Sequence, residues 1–407
     1  MKILMIAPQP FLEPRGTPIS VFQRLSGLSQ LGHSVDLLTY HIGEDVDLPG
    51  VRIIRTASIP SIRQLKVGPS WAKIPLDMVL LFKAVGLLIK NKYDVIHSHE
   101  EAAIFGVILA ALFRTPHLYD MHSSLPKQLV NFNFGNYRPI IKLFEFFERL
   151  TIRNSQAVIT IGADLEHQAE TIDPHINQVM IENLPLRAEQ SDEPDDSPQV
   201  LRDELGIRDK TVIVYTGTFE RYQGVELLVE SFCMVVERRP DVALVLVGGK
   251  PEQVQSVRDL AAQYQVDRFV FFTGTVRVEK ANQYLKMADI LVSPRIEGTS
   301  VPLKIYTYLH QGKPILATNL TAHTLVLDDE TAVLVQPTKD ALADGLIRLL
   351  ENNRLRDRLG ENSRKLAQEK YDTSSYLEKL ERIYQTFDPP ILVDEPVSPP
   401  VKELEGN

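Results

Sequence analysis

Twice along this chain, short apolar runs alternate with longer segments of helical period, and a single acidic stretch separates the two series. A short run that is apolar throughout suits a strand buried on both faces, and helices on either side supply that cover. Strands regularly separated by helices build a parallel, doubly wound sheet. In the first series the strand patterns fall at 2–7, 34–39, 51–55, 95–97, 117–119 and 157–161. Helical patterns fall at 18–31, 75–90, 102–112 and 140–153, and Gly32 is placed to stop the first of them. In the second series strands are expected at 211–215, 242–247, 269–272, 290–294 and 314–317. Helices are expected there at 224–237, 252–263, 302–310, 340–352 and 353–369, with a last helix at 373–387.

The expected architecture is therefore α/β, with two Rossmann-like doubly wound domains facing a cleft. The first covers 1–187 and the second 201–372, joined by an acidic linker at 188–200. The linker is rich in acids and proline and lacks large apolar side chains. Residues 388–407 read as a disordered tail. Open sheets of this kind bind ligands beyond the carboxyl ends of their strands.

Composition narrows the classes. Hydrophobic residues make up 44% and charged residues 24% of 407, as in a globular chain with real cores. One cysteine, Cys233, excludes an internal disulfide and fits a reducing, cytoplasmic setting. The apolar run at the start ends at Ala7, short for a signal peptide, and no run reaches the ~20 residues needed to span a bilayer. Five acids without a base in 188–200, and five acids with one lysine in 388–407, account for the whole net charge of −9. The remainder is neutral and gives no case for nucleic acid. Locally, residues 48–92 carry eight Lys or Arg against one acid, Asp77. That segment suits an anionic membrane at its inner face or a phosphorylated acceptor, and equally a solvated basic face.

Several motifs sit at strand ends. Pro14-Arg15-Gly16-Thr17 follows the first strand, where Gly16 lets backbone approach a ligand and the next helix offers unpaired N–H groups to an anion. His97-Ser98-His99 resembles a metal pair, but no third ligand has suitable spacing. Asp45-Val46-Asp47 lies in a polar loop and reads as chance. His122 follows the strand ending near Tyr119. Thr216-Gly217-Thr218-Phe219-Glu220-Arg221-Tyr222-Gln223-Gly224 joins a strand to a helix and offers N–H donors. The segment from Ser293 to Pro314 carries Glu297, Gly298, Thr299, Ser300, Lys304 and Thr307. A nicotinamide enzyme would need a Gly-x-Gly-x-x-Gly turn after a strand, and none is present.

Taken in order, these landmarks resemble family 4 of the glycosyltransferases, the group 1 family, over most of residues 1–387. The resemblance implies the GT-B fold, with the last helix crossing back to the first domain. It implies a retaining, metal-independent transfer from a nucleotide-diphosphate sugar to a glycan, lipid or small-molecule acceptor, without a cofactor. It assigns His122 to orienting the donor sugar and Glu297 to stabilising charge at the anomeric centre. Gly16, Gly217, Gly298, Thr299 and Ser300 would supply backbone to sugar and phosphate. The chain departs from the family in three places. Thr218 and Gln223 stand where the family has an Arg and a Lys on the diphosphate, and Thr307 where it has the ribose-binding Glu. Arg221 and Lys304 are the candidate replacement cations. The alternative to an active transferase is a catalytically weakened sugar-nucleotide-binding or scaffold subunit of a glycan-synthesis system.

Overall fold

The computed structural model describes residues 1–12, 16–62, 65, 70–129, 138–185, 197–298 and 300–387. The first unit runs β1 (Lys2–Ala7), α1 (Gly16–Gln30), β2 (Ser34–Thr39), β3 (Val51–Arg55), α2 (Lys73–Lys90), β4 (Val95–His99) and α3 (Ala102–Phe113). It continues with β5 (His117–Met121), α4 (Leu125–Leu129), α5 (Arg138–Asn154), β6 (Ala157–Thr160), α6 (Ala163–Ile172) and β7 (Gln178–Met180). The second runs α7 (Pro198–Glu204), β8 (Thr211–Thr216), α8 (Val225–Arg238), β9 (Val242–Val247), α9 (Pro251–Gln263), β10 (Val270–Gly274) and α10 (Val278–Met287). It continues with β11 (Ile290–Ser293), α11 (Leu303–Gln311), β12 (Ile315–Thr318), α12 (Thr321–Thr324), β13 (Ala332–Val335), α13 (Lys339–Glu351) and α14 (Asn353–Lys370). Helix α15 (Thr373–Gln385) ends the described chain.

The strands form two parallel sheets, ordered β3-β2-β1-β4-β5-β6-β7 and β10-β9-β8-β11-β12-β13. Strand order reverses between β1 and β4 and between β8 and β11, which opens a crevice at the carboxyl ends of those strands. Strand β1 shows why its run is apolar throughout. Ile3 and Met5 pack with Val21 and Leu25 of α1 and Leu380 of α15. Leu4 and Ile6 point the other way, onto Leu76 and Leu80 of α2. Helix α15 follows the second sheet but buries Tyr376, Leu380, Ile383 and Tyr384 in the core of the first unit. Lys379 also pairs with Glu182 at 2.6 Å.

Several elements escaped the sequence pattern for physical reasons. Strand β7 has three residues, too few for a period, and α6 (ADLEHQAETI) is too polar to show an apolar stripe. Strands β4 and β5 run on to His99 and Met121, past polar residues whose partners are tertiary. The expected linker overlaps α7, which begins at Pro198 with Ser197 Oγ accepting from the Val200 N–H at 3.4 Å. Residues 188–196 of that linker, the tail 388–407, and Pro14, Arg15 and Thr299 lie outside the described residues.

Candidate active site

The second unit's part of the site grows from the ends of β8 and β11, which are neighbours. Beyond β8 the chain turns at Gly217, with φ +136, a region that L side chains rarely adopt. A Cβ there would lie 2.9 Å from Lys304 Nζ. Tyr215 donates its hydroxyl to the Thr218 carbonyl at 2.6 Å, which pins the turn. Residues 221–223 form one 3-10 turn, and Gly224 at φ +71 brings the loop against the other strand end. A Cβ on Gly224 would sit 2.0 Å from the Pro294 carbonyl oxygen. The Ile296 N–H donates to the Tyr222 carbonyl at 3.0 Å and ties the two loops together.

Two cations converge in this frame. Lys304, in the first turn of α11, is half-buried with Nζ 3.9 Å from the centroid of the Tyr215 ring and donating to Gln223 Oε1 at 3.2 Å. Arg295 lies over the Tyr222 ring at 5.1 Å and donates to the Ser300 carbonyl at 2.8 Å, while its Nε has no partner. Among the described residues neither is paired with a carboxylate. Burial pushes the Lys304 ammonium well down, and Arg295 adds to the effect. Burial lowers Arg295 too. Behind them His323 is held by Ser293 Oγ at 2.9 Å, and burial lowers it to about 4.

The first unit contributes a buried polar cluster on the face of its sheet that carries α1 and α15. His99 and Asp120 are register partners on β4 and β5, so His97, His99, Asp120 and His122 share that face. Asp120 Oδ2 accepts from Arg24 Nε at 2.8 Å and faces His97 Nε2 at 3.3 Å. His122 Nε2 lies 2.9 Å from His99 Nδ1 and 3.3 Å from Asp120 Oδ1. Burial opposes the charge on Asp120, but Arg24 and the imidazoles hold its carboxyl well below the usual range. Burial lowers His122 to about 4, against the pull of Asp120, so the ring is neutral at pH 7. Its Nδ1 has no hydrogen-bond partner.

His97, His99 and Asp120 offer three ligand-type atoms within 4.8 Å of one another. The third group that sequence spacing did not supply is therefore present in space. Arg24 already neutralises Asp120, however, and a divalent ion would bring two uncompensated charges into a buried site. The other candidate triplet is spent differently, since Asp45 pairs with Arg55 at 2.6 Å.

Nearer the cleft, Glu100 caps β4 at φ +46 and accepts from Thr17 Oγ1 at 3.0 Å. Burial and the neighbouring Glu101 raise its carboxyl to about 7. Burial does the same for Asp77, which accepts from the Tyr40 hydroxyl. The two units meet where Gly162, Asp164 and Asn183 face Ser300, Val301 and Tyr306.

Two family models match this chain. "Glycosyl transferase 4-like domain" matches residues 16–183, and "Glycosyl transferases group 1" matches residues 199–366. The chain belongs to the group 1 glycosyltransferases. It is 26% identical over 391 residues to the phosphatidyl-myo-inositol mannosyltransferase of Mycobacterium leprae, covering 95% of this chain and 97% of that one. It is 23% identical over 392 residues to sulfoquinovosyl transferase SQD2 of Arabidopsis thaliana, covering 93% and 72%. Its fold is similar to sucrose-phosphate synthase from Thermosynechococcus elongatus, with TM-score 0.73, 20% identity and coverage of 94% and 98%. It is also similar to HepE of Anabaena in complex with UDP, with TM-score 0.70, 17% identity and coverage of 95% and 100%.

In this glycosyltransferase the expected site residues fall into three groups. Gly217, Gln223 and Lys304 are brought together, with Thr307 buried one turn further along α11. Thr218, Arg221, Glu297, Gly298 and Ser300 are exposed on the loops above them, and Gly16 is exposed at the start of α1. His122 is buried in the facing unit. The sequence reading missed Arg295, Arg24 and Asp120. A cation two residues past a strand end was a usable signal for Arg295. Arg24 and Asp120 carried none, because they meet across 96 residues.

Proposed function

We propose that this glycosyltransferase moves a sugar from a nucleotide-diphosphate sugar to a lipid-linked or glycan acceptor, with retention and without a metal ion. The observation that carries the reading is the pair of half-buried cations, Lys304 and Arg295, which have no carboxylate among the described residues. A charge partly withdrawn from water without a counterion is costly, and a diphosphate would supply the missing negative charge. The pair also replaces the charge missing at Thr218 and Gln223, and Arg221 on the exposed turn adds to it. Backbone N–H groups at Gly217 and Gly298 complete the phosphate cradle. Ser300 and Thr307 line the sugar and ribose side, and Gly16 gives the first unit's loop close access.

In the reaction the bond from the anomeric carbon to the diphosphate oxygen breaks, and its electron pair leaves with the phosphate. The acceptor oxygen forms the new bond on the same face, and its proton passes to the departing phosphate oxygen. Glu297 stabilises positive charge as the carbon opens. His122 is neutral and is assigned to orienting the donor sugar, its buried Nδ1 being left without a protein partner. Retention is supported by membership of the family, and metal independence by the two cations. We assign a cytoplasmic setting, with peripheral contact at the inner face of an anionic membrane.

Thermal unfolding of the full chain, with chelator present, tests the reading against nucleotide diphosphates and their sugars. A bound series at 100 times its dissociation constant adds about 2.7 kcal/mol of stability. Glu297→Ala keeps the nucleotide-dependent shift and loses the sugar-dependent part. No shift from any nucleotide at millimolar concentration would sink the proposal.

A further inference from the structure

We propose that the outer face of the first unit, built by α2, α3 and α5, is a docking surface for an anionic lipid bilayer. Helix α2 packs Leu76, Leu80, Ala84 and Leu88 inward at a spacing of four. Its opposite side, where a surface helix normally carries polar residues, presents Ile74, Met78, Phe82 and Ile89, with Phe82 68% and Ile89 70% exposed. Helix α3 lies alongside, has no charged residue, and exposes Ile108 and Leu112. Helix α5 packs next to α3 and exposes Leu143 and Phe146. Trp71, just before α2, is 72% exposed. Among the described residues, the strongly exposed large hydrophobics elsewhere are Val200, Tyr222 and Tyr264. An apolar area of this extent marks an interaction surface.

Charge selects the occupant. Exposed cations border the patch, Lys83 and Lys90 on α2, Arg114 after α3, and Arg138, Lys142 and Arg149 on α5. The acids of these helices are mostly turned inward. Asp77 meets Tyr40 and Glu148 is buried beside Gln168, which leaves Glu145. A basic rim around an apolar centre, on a chain of net charge −9, matches an anionic membrane. Among the described residues no helix is long and apolar enough to cross a bilayer, so the helices lie in the plane of the interface. The surface also reaches the cleft, because Lys73 at the start of α2 donates to Glu101 beyond the end of β4 at 2.5 Å. A membrane-borne acceptor would enter there, a consequence that rests on the transferase reading, whereas the docking itself does not.

Sedimentation of the full chain with vesicles tests the surface. Binding is expected to vesicles of phosphatidylcholine mixed with phosphatidylglycerol, weakened by added salt and weak for phosphatidylcholine alone. Phe82→Ser with Ile89→Ser is expected to weaken binding about tenfold or more, and Lys83→Gln about fivefold, each with an unchanged melting temperature. Absence of binding to the anionic vesicles overturns the proposal. So does a dimer in light scattering that Phe82→Ser dissociates while vesicles fail to bind, since a second copy then covers the face. The nucleotide-dependent thermal shift, read on the same preparation, reports the transferase site separately.

Discussion

Tyr384, near the end of the last helix, lies 2.7 Å from Nδ1 of His97 in the middle of the first sheet. His97 Nε2 faces Asp120, so Nδ1 accepts a hydrogen bond from the tyrosine hydroxyl. Tyr376 joins the same cluster, accepting from Arg24 at 2.8 Å. The final helix is thus bonded to the residues that surround His122, and its removal would open them to water.

Tyr384→Phe keeps the ring and removes the donor, leaving a buried imidazole nitrogen unsatisfied. The expected cost is about 1–3 kcal/mol of stability in urea unfolding. An unchanged midpoint would mean that the hydroxyl contributes nothing to closing the helix on the first unit.

Asp120→Asn should be worse. It strands a fully buried Arg24 guanidinium, and breaking such a pair costs about 3–5 kcal/mol. Circular dichroism melting is the measurement. Replacing Asp120 and Arg24 together by apolar residues is expected to recover much of the loss, because no charge is then left buried alone.

Lys304→Met separates binding from stability. Removing a half-buried, carboxylate-free cation is expected to raise the melting temperature of the unliganded protein. The same change weakens nucleotide diphosphate binding by about tenfold or more, the loss of a charge-assisted contact. Calorimetric titration decides it, and wild-type affinity in the variant would remove Lys304 from the diphosphate site.

His122 carries a pH signature. Burial lowers its pKa to about 4 in the folded chain, against an unfolded value of about 6.5. The unfolded chain therefore binds the extra proton first as pH falls. The His122 contribution to stability is complete above pH 6.5 and is lost between there and about pH 4. His122→Gln should flatten that part of the stability profile. A His122 ring resonance that titrates near 6.5 in nuclear magnetic resonance would contradict the burial argument.

The sequence by itself determined the two-sheet plan, because a parallel strand covered on both faces must read as an unbroken apolar run, as Ile3 to Ala7 and Val242 to Val247 do. Motif order identified the family and drew attention to His122, Glu297 and the loop at Gly217. Polar residues in strands hid their own elements. His99 and Asp120 broke the apolar pattern of β4 and β5, and the groups that they meet lie on α1 and on the neighbouring strand. Only the tertiary structure decided what the cations meet. Lys304 and Gln223 are 81 residues apart in the chain and Arg24 and Tyr376 are 352 apart, and no local period encodes such contacts. It also decided which side of α2 faces outward. The helix is apolar on nearly every side, so its sequence gave no inner stripe to read, and the sheet selected Leu80 for the core while leaving Phe82 at the surface.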